Sequence, residues 1–201
     1  MSRFYRVCRA FAWVALRVLY RVRVEGAVNI PIEGPVILCG NHISYIDPVL
    51  VACASSRQVR FMAKKELYKS RILRWFLSRI GAFPVDRGAA DITAMRTAFG
   101  ILKEGGALGI FPEGTRVRGV KTEANTGMES GVAMIVARAP TPVVPMRVMG
   151  RYRLFRRQTL VIGAPLDLTA ILADRSSERI AEATAALQSS IRGLIPESTE
   201  T

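Results

Sequence analysis

The chain of 201 residues is half apolar and 22% charged, which fits one packed α/β or α+β domain and excludes a disordered chain or two large domains. Its 29 basic against 16 acidic side chains leave a net charge of +13, a field that favours phosphates, anionic lipid or nucleic acid as partners. Cys8, Cys39 and Cys53 are irregularly spaced and His42 is the sole histidine, so a disulfide framework and any zinc set built on several histidines of one subunit are excluded, and a reducing compartment is the simpler reading.

The charge is concentrated at the start, where residues 1–80 hold +10 of the +13. Arg3, Arg6, Arg9, Arg17, Arg21 and Arg23 precede the first acidic residue, Glu25. The longest uncharged stretch there, Ala10–Leu16, is too short for a membrane-spanning helix, which needs about 20 apolar residues, and short for a secretory core. At about 100° per residue, Arg3, Arg6, Arg9, Arg17 and Arg21 share one arc, while Phe4, Phe11, Val14, Leu16, Val18 and Leu19 lie largely off it. The pattern predicts a basic amphipathic helix over residues 1–24, lying in the plane of an anionic membrane surface with Phe11 and Trp13 beside its arginines. The competing reading is a helix packed on the protein's own core with a solvated charged face.

Short β-branched runs then alternate with helical patterns, which predicts an α/β fold: a mixed central β-sheet flanked by helices. Strands are expected at Arg21–Glu25, Val36–Gly40, Val59–Met62, Ala82–Val85, Ala107–Phe111, Val143–Val148 and Thr159–Ile162. Ile92, Met95, Phe99 and Leu102 recur at helical spacing up to Gly105 and Gly106. Further helices are expected at 47–55, 65–79, 128–138 and 176–194. The main domain covers residues 25–195, with a polar tail over 196–201.

Three motifs carry chemistry. The first runs from the strand Val36–Gly40 into Asn41-His42-Ile43-Ser44-Tyr45-Ile46-Asp47-Pro48, placing the only imidazole at a strand end, where α/β sheets keep their sites. Asp47, at a helix start before Pro48, folds back to hold the tautomer and stabilise the imidazolium, so the pair has the physics of a general base. No GxSxG nucleophile elbow is present, which makes a hydroxyl of the substrate the proton donor. Cys39 as an acyl-enzyme nucleophile is the competing scheme, and its apolar strand setting reads more simply as core.

The second motif is Gly81-Ala-Phe-Pro-Val-Asp-Arg87-Gly88, read as a strand ending in Arg87 with a helix start at 88–90. The third is Ile110-Phe-Pro-Glu-Gly-Thr-Arg116, a strand with a tight exit loop whose backbone N–H groups face an anion. Arg87 and Arg116 suit bidentate phosphate contacts. Glu113 would repel phosphate, so its expected role is to hold one of those arginines or to orient backbone.

In this order and spacing, NHxSxxD, GxFPVDRG, FPEGTR and Thr141-Pro-Val-Val-Pro145-Met resemble the four blocks of the 1-acyl-glycerol-3-phosphate acyltransferase family, over about residues 36–148. The resemblance implies transfer of a fatty acyl group from an acyl-CoA or acyl carrier protein thioester to the sn-2 hydroxyl of lysophosphatidic acid, giving phosphatidic acid. It assigns His42 and Asp47 to the catalytic block and Arg87, Glu113, Gly114, Thr115 and Arg116 to the acceptor phosphate. Pro145 falls in the fourth block. Neither a metal nor a bound cofactor is expected. A departure is Met128-Glu129-Ser130-Gly131, where the family often has Phe-Lys-x-Gly, and it keeps another lyso-lipid acceptor, such as lyso-ornithine lipid, as an alternative. A basic nucleic-acid-binding module or a non-catalytic membrane-surface protein are the readings from other classes; the first explains none of the ordered blocks. The expected location is peripheral, on the cytoplasmic face of the cell membrane. Deleting residues 2–20 is expected to release the protein from anionic liposomes and to spare turnover on soluble acceptors.

Overall fold

A computed structural model describes residues 1–86, 91–112 and 126–196, residues 126–129 as backbone alone. Among them seven strands form one sheet in the order β1-β7-β6-β2-β5-β3-β4. The strands are β1 (Arg23–Glu25), β2 (Val36–Gly40), β3 (Val59–Lys64), β4 (Phe83–Val85), β5 (Ala107–Ile110), β6 (Val143–Val148) and β7 (Thr159–Ile162). Every pairing is parallel except β6 with β7, so the sheet is mixed. The helices are α1 (Arg3–Tyr20), α2 (Asp47–Ala54), α3 (Arg71–Ile80), α4 (Ile92–Lys103), α5 (Thr126–Arg138) and α6 (Ser177–Gly193).

β2 lies between β5 and β6 and is buried along its whole length, as a continuous Val-Ile-Leu-Cys run in a parallel sheet requires. Side chains alternate across a strand, and here the alternation splits the core in two. Ile37 and Cys39 join Leu108 and Ile110 under α4, α5 and α6. Val36 and Leu38 join Leu50, Val51 and Leu16 under α2 and α1.

Several expected boundaries move for local reasons. Arg21 caps α1 in the left-handed region (φ 45°), so β1 starts at Arg23. The helix expected over 65–79 is a 3₁₀ turn at Lys65–Lys69 followed by α3. Ser70 separates them, its extended backbone starting a new helix and its hydroxyl accepting from Leu73 N–H at 3.4 Å, as an N-cap does. The second-motif strand stops at Val85, short of Arg87, and α4 begins behind its cap Asp91; the helix start expected at 88–90 lies outside the described residues, as does the tail from 197.

α1 satisfies parts of both readings of the amino-terminal segment. Tyr5 and Leu16 are buried, with Ala12 and Trp13 packed on the second core. Val7, Phe11, Val14 and Val18 stay exposed, Phe11 at 74%, and their i, i+4, i+7, i+11 spacing places them on one face.

Candidate active site

The loop after β2 is built around one carboxylate. Asp47 opens α2 with Pro48 following, a position where a helix dipole favours negative charge. Its side chain is fully buried and turns back on the loop. Oδ2 accepts from His42 Nδ1 at 2.9 Å, from Ile43 N–H at 2.7 Å and from Ser44 N–H at 2.7 Å. An ionised carboxylate only accepts, so Nδ1 carries the proton and the imidazole lone pair sits on Nε2. This is the arrangement a general base needs.

Two further contacts fix the imidazole. Asn41 is clamped to β6, its Nδ2 donating to Val148 O at 2.9 Å and its Oδ1 accepting from Val148 N–H at 2.7 Å. Phe111, the residue after β5, stacks on the His42 ring with centroids 4.6 Å apart at 23°, and Phe61 of β3 stacks behind it at 5.9 Å and 9°. Gly109 makes this possible, since a Cβ there would overlap the Phe61 ring. At the strand end, a Cβ on Gly40 would stand 2.8 Å from Met146 O, so glycine lets β2 and β6 approach closely just before His42.

His42 and Asp47 are thus in contact. Pro145 is buried in β6, in register with Cys39, and β6 meets the loop beyond the fourth block, where Val148 pairs with Asn41. Arg87, Glu113, Gly114, Thr115 and Arg116 lie outside the described residues. Of their described neighbours, Phe111 of the third motif touches His42, and Asp91 ties the second motif together, accepting from Asp86 N–H and Ala94 N–H at 2.9 Å each. Those backbone donors hold the Asp91 carboxyl below the usual carboxylate range. The thiols are poorly placed as nucleophiles: Cys39 is fully buried in the core, and burial pushes the Cys53 thiol up to about 11 against the lowering effect of Arg9.

The sequence pattern of the family described as Acyltransferase matches residues 21–149 of this chain. This chain belongs to the acyltransferase family. It is similar to a 1-acyl-sn-glycerol-3-phosphate acyltransferase of Bacillus subtilis (strain 168), 31% identical over 94% of this chain and 96% of that protein. A 1-acyl-sn-glycerol-3-phosphate acyltransferase of Streptococcus pneumoniae is 32% identical over 67% of this chain and 51% of its own length. The fold is shared with the crystal structure of a 1-acyl-sn-glycerophosphate acyltransferase from Thermotoga maritima, with a TM-score of 0.71 and 24% identity over 96% of this chain and 81% of that one.

Sequence reasoning missed Asn41, Phe61, Phe111 and Tyr152 as parts of this acyltransferase's site. Asn41 stands beside His42, but its partner is 107 residues away. Tyr152, from the segment after β6, packs on the second core, as Ile43 and Ile46 do, and has no signal in the sequence pattern.

Proposed function

We propose that this acyltransferase moves a fatty acyl group from acyl-CoA or acyl carrier protein to the sn-2 hydroxyl of 1-acyl-glycerol-3-phosphate, giving phosphatidic acid. The observation that carries the reading is the buried His42–Asp47 pair, with Nδ1 committed to the carboxylate so that the lone pair is on Nε2. The acceptor hydroxyl gives its proton to Nε2 while its oxygen attacks the thioester carbonyl carbon. The C–S bond then breaks, and the imidazolium returns the proton to the leaving thiolate. Asp47 stabilises the imidazolium between those steps, against a Phe111 ring face that attracts a cation. The deciding experiment supplies the purified protein with labelled acyl thioester and a panel of lyso-lipid acceptors, and reads product by mass. The departure at Met128–Gly131 favours a second reading, acylation of a lyso-ornithine lipid, and the same panel separates the two.

Arg87 and Arg116 are proposed to grip the acceptor phosphate, with Glu113, Gly114 and Thr115 shaping that subsite. Neutralising either arginine is expected to raise the acceptor KM more than the donor KM, with some loss of kcat through misplacement. Equal rises in both KM values would assign the arginines a structural role.

The proposed working position is the cytoplasmic face of the cell membrane. No helix among the described residues is long and apolar enough to cross a membrane. What supports surface attachment is the exposed stripe of Val7, Phe11, Val14 and Val18 beside exposed Arg3, Arg6 and Arg17. α3 extends it: Phe4 packs edge-on against Trp75 at 5.4 Å, and Ile72 and Trp75 are themselves exposed. The loop after β6 adds exposed Leu154 and Phe155 between Arg153 and Arg156, and it is tied to the end of α1 by Phe155 N–H donating to Leu19 O at 2.6 Å. Because Tyr5 and Leu16 belong to the core, deleting residues 2–20 would damage the fold as well as the anchor, and substitution of the outer stripe is the cleaner test. Replacing Val7, Phe11, Val14 and Val18 by serine is expected to release the protein from anionic vesicles with the thermal midpoint retained. Attachment of the parent should weaken with salt, each arginine near the surface contributing about 1 kcal/mol before screening. Undiminished sedimentation of the serine variant would place the anchor elsewhere.

A further inference from the structure

The two oxygens of the Asp47 carboxylate are served unequally. Oδ2 takes all three donors already described, whereas Oδ1 is buried and accepts none among the described residues. A buried acceptor left without a donor is unusual and unfavourable. The hydroxyl of Tyr152 is its complement, since it too is buried without a completed hydrogen bond.

The Tyr152 ring sits in the second core. Tyr20, at the end of α1, meets it edge-on with centroids 5.3 Å apart at 86°, and Ile43 and Ile46 of the His42–Asp47 loop share its core cluster. The hydroxyl lies close enough to Asp47 to feel its charge and hydrogen bonding, although no closed bond joins it to Oδ1. Burial first, and then the charge of Asp47 and hydrogen bonding to it, push the phenol well above its ordinary range, with Tyr20 adding to the rise.

We infer that Tyr152 is a positioning residue for the catalytic pair, its buried hydroxyl serving Asp47 Oδ1 and so fixing the plane of the carboxylate that orients His42. A carboxylate held through one oxygen pivots about it, and the imidazole follows. Held through both, it keeps Nδ1–H aligned and Nε2 aimed at the acceptor hydroxyl, and catalytic geometry of this kind has to be kept to within about 0.5 Å. Tyr152 touches neither substrate in this scheme and acts only through Asp47.

The kinetic arm of the test rests on the acyl-transfer reading, and the spectroscopic arm does not. Tyr152→Phe keeps the ring and its packing and removes only the hydroxyl. Its kcat is expected to fall about tenfold, with the KM values of donor and acceptor unchanged. Because His42 is the only histidine in the chain, ¹⁵N-histidine labelling reports a single imidazole. The Nδ1–H resonance, sharp in the parent, should broaden through exchange with water in Tyr152→Phe. If that variant does not fold, 3-fluorotyrosine at position 152, a stronger donor of nearly the same shape, should keep both kcat and the sharp resonance, and loss of either would overturn the inference. An unchanged resonance in Tyr152→Phe overturns it whatever kcat does, as does a lowered thermal midpoint with kcat and resonance intact. Broadening in a protein that acylates no lyso-lipid would support the positioning role and sink only the proposed reaction.

Discussion

Turnover of the His42→Ala enzyme is expected to fall by about 10²- to 10⁴-fold, the usual contribution of a positioned general base, while fold and vesicle attachment survive. His42 is the sole histidine, so no second imidazole can take over. The loop does not depend on the ring alone, because Ile43 and Ser44 N–H still reach Asp47 Oδ2 and Asn41 still clamps to Val148. What is lost is the proton acceptor and the partner of the Phe111 stack. Added imidazole should restore part of the rate if it enters the space vacated against Phe111. Product formation under saturating donor and acceptor checks the first point, and the thermal midpoint checks the second. Near-parent turnover would sink the base assignment, and buried Cys39 would be a poor replacement.

What was legible in the sequence follows from how local each signal is. β2, β6 and β7 fall on their expected bounds because each is a short apolar run closed off by polar or turn residues. The break at Ser70 was hidden, since the 3₁₀ turn before it and α3 after it share one basic amphipathic pattern. In α1 the apolar residues form two faces, one led by Tyr5 and Leu16 and one by Phe11 and Val14, and only α2 and α3 packing against it decide which is buried. The His42–Asp47 contact was readable because it spans five residues and one helix start. By contrast, Asn41 with Val148, Phe61 with Phe111, and Tyr152 beside Asp47 are products of strand order. No spacing rule along the chain reports which strand will lie next to β2.

Asp47 separates rate from fold through two substitutions. In Asp47→Asn the amide oxygen can take the place of Oδ2 and receive the donors from His42, Ile43 and Ser44. The fold should therefore persist with a small change in thermal midpoint. The rate should not. With the oxygen toward His42, the imidazolium forms in a buried site without its counter-charge. With the amide turned over, an N–H meets Nδ1, the imidazole proton moves to Nε2, and the base is lost altogether. Either outcome gives a fall in kcat of about 10³- to 10⁴-fold, on the scale seen when an orienting aspartate is neutralised in a hydrolase triad. Asp47→Ala instead leaves one buried and two part-buried donors without that acceptor, at up to about 1–3 kcal/mol each, a large share of the roughly 5–15 kcal/mol by which a domain is stable. That variant should lose thermal stability as well as activity. Comparing kcat and thermal midpoint in both proteins checks the argument: a parent-like rate in Asp47→Asn would reduce Asp47 to a turn-forming residue, and equal midpoints in the two variants would mean that the three hydrogen bonds to Oδ2 do not hold the loop.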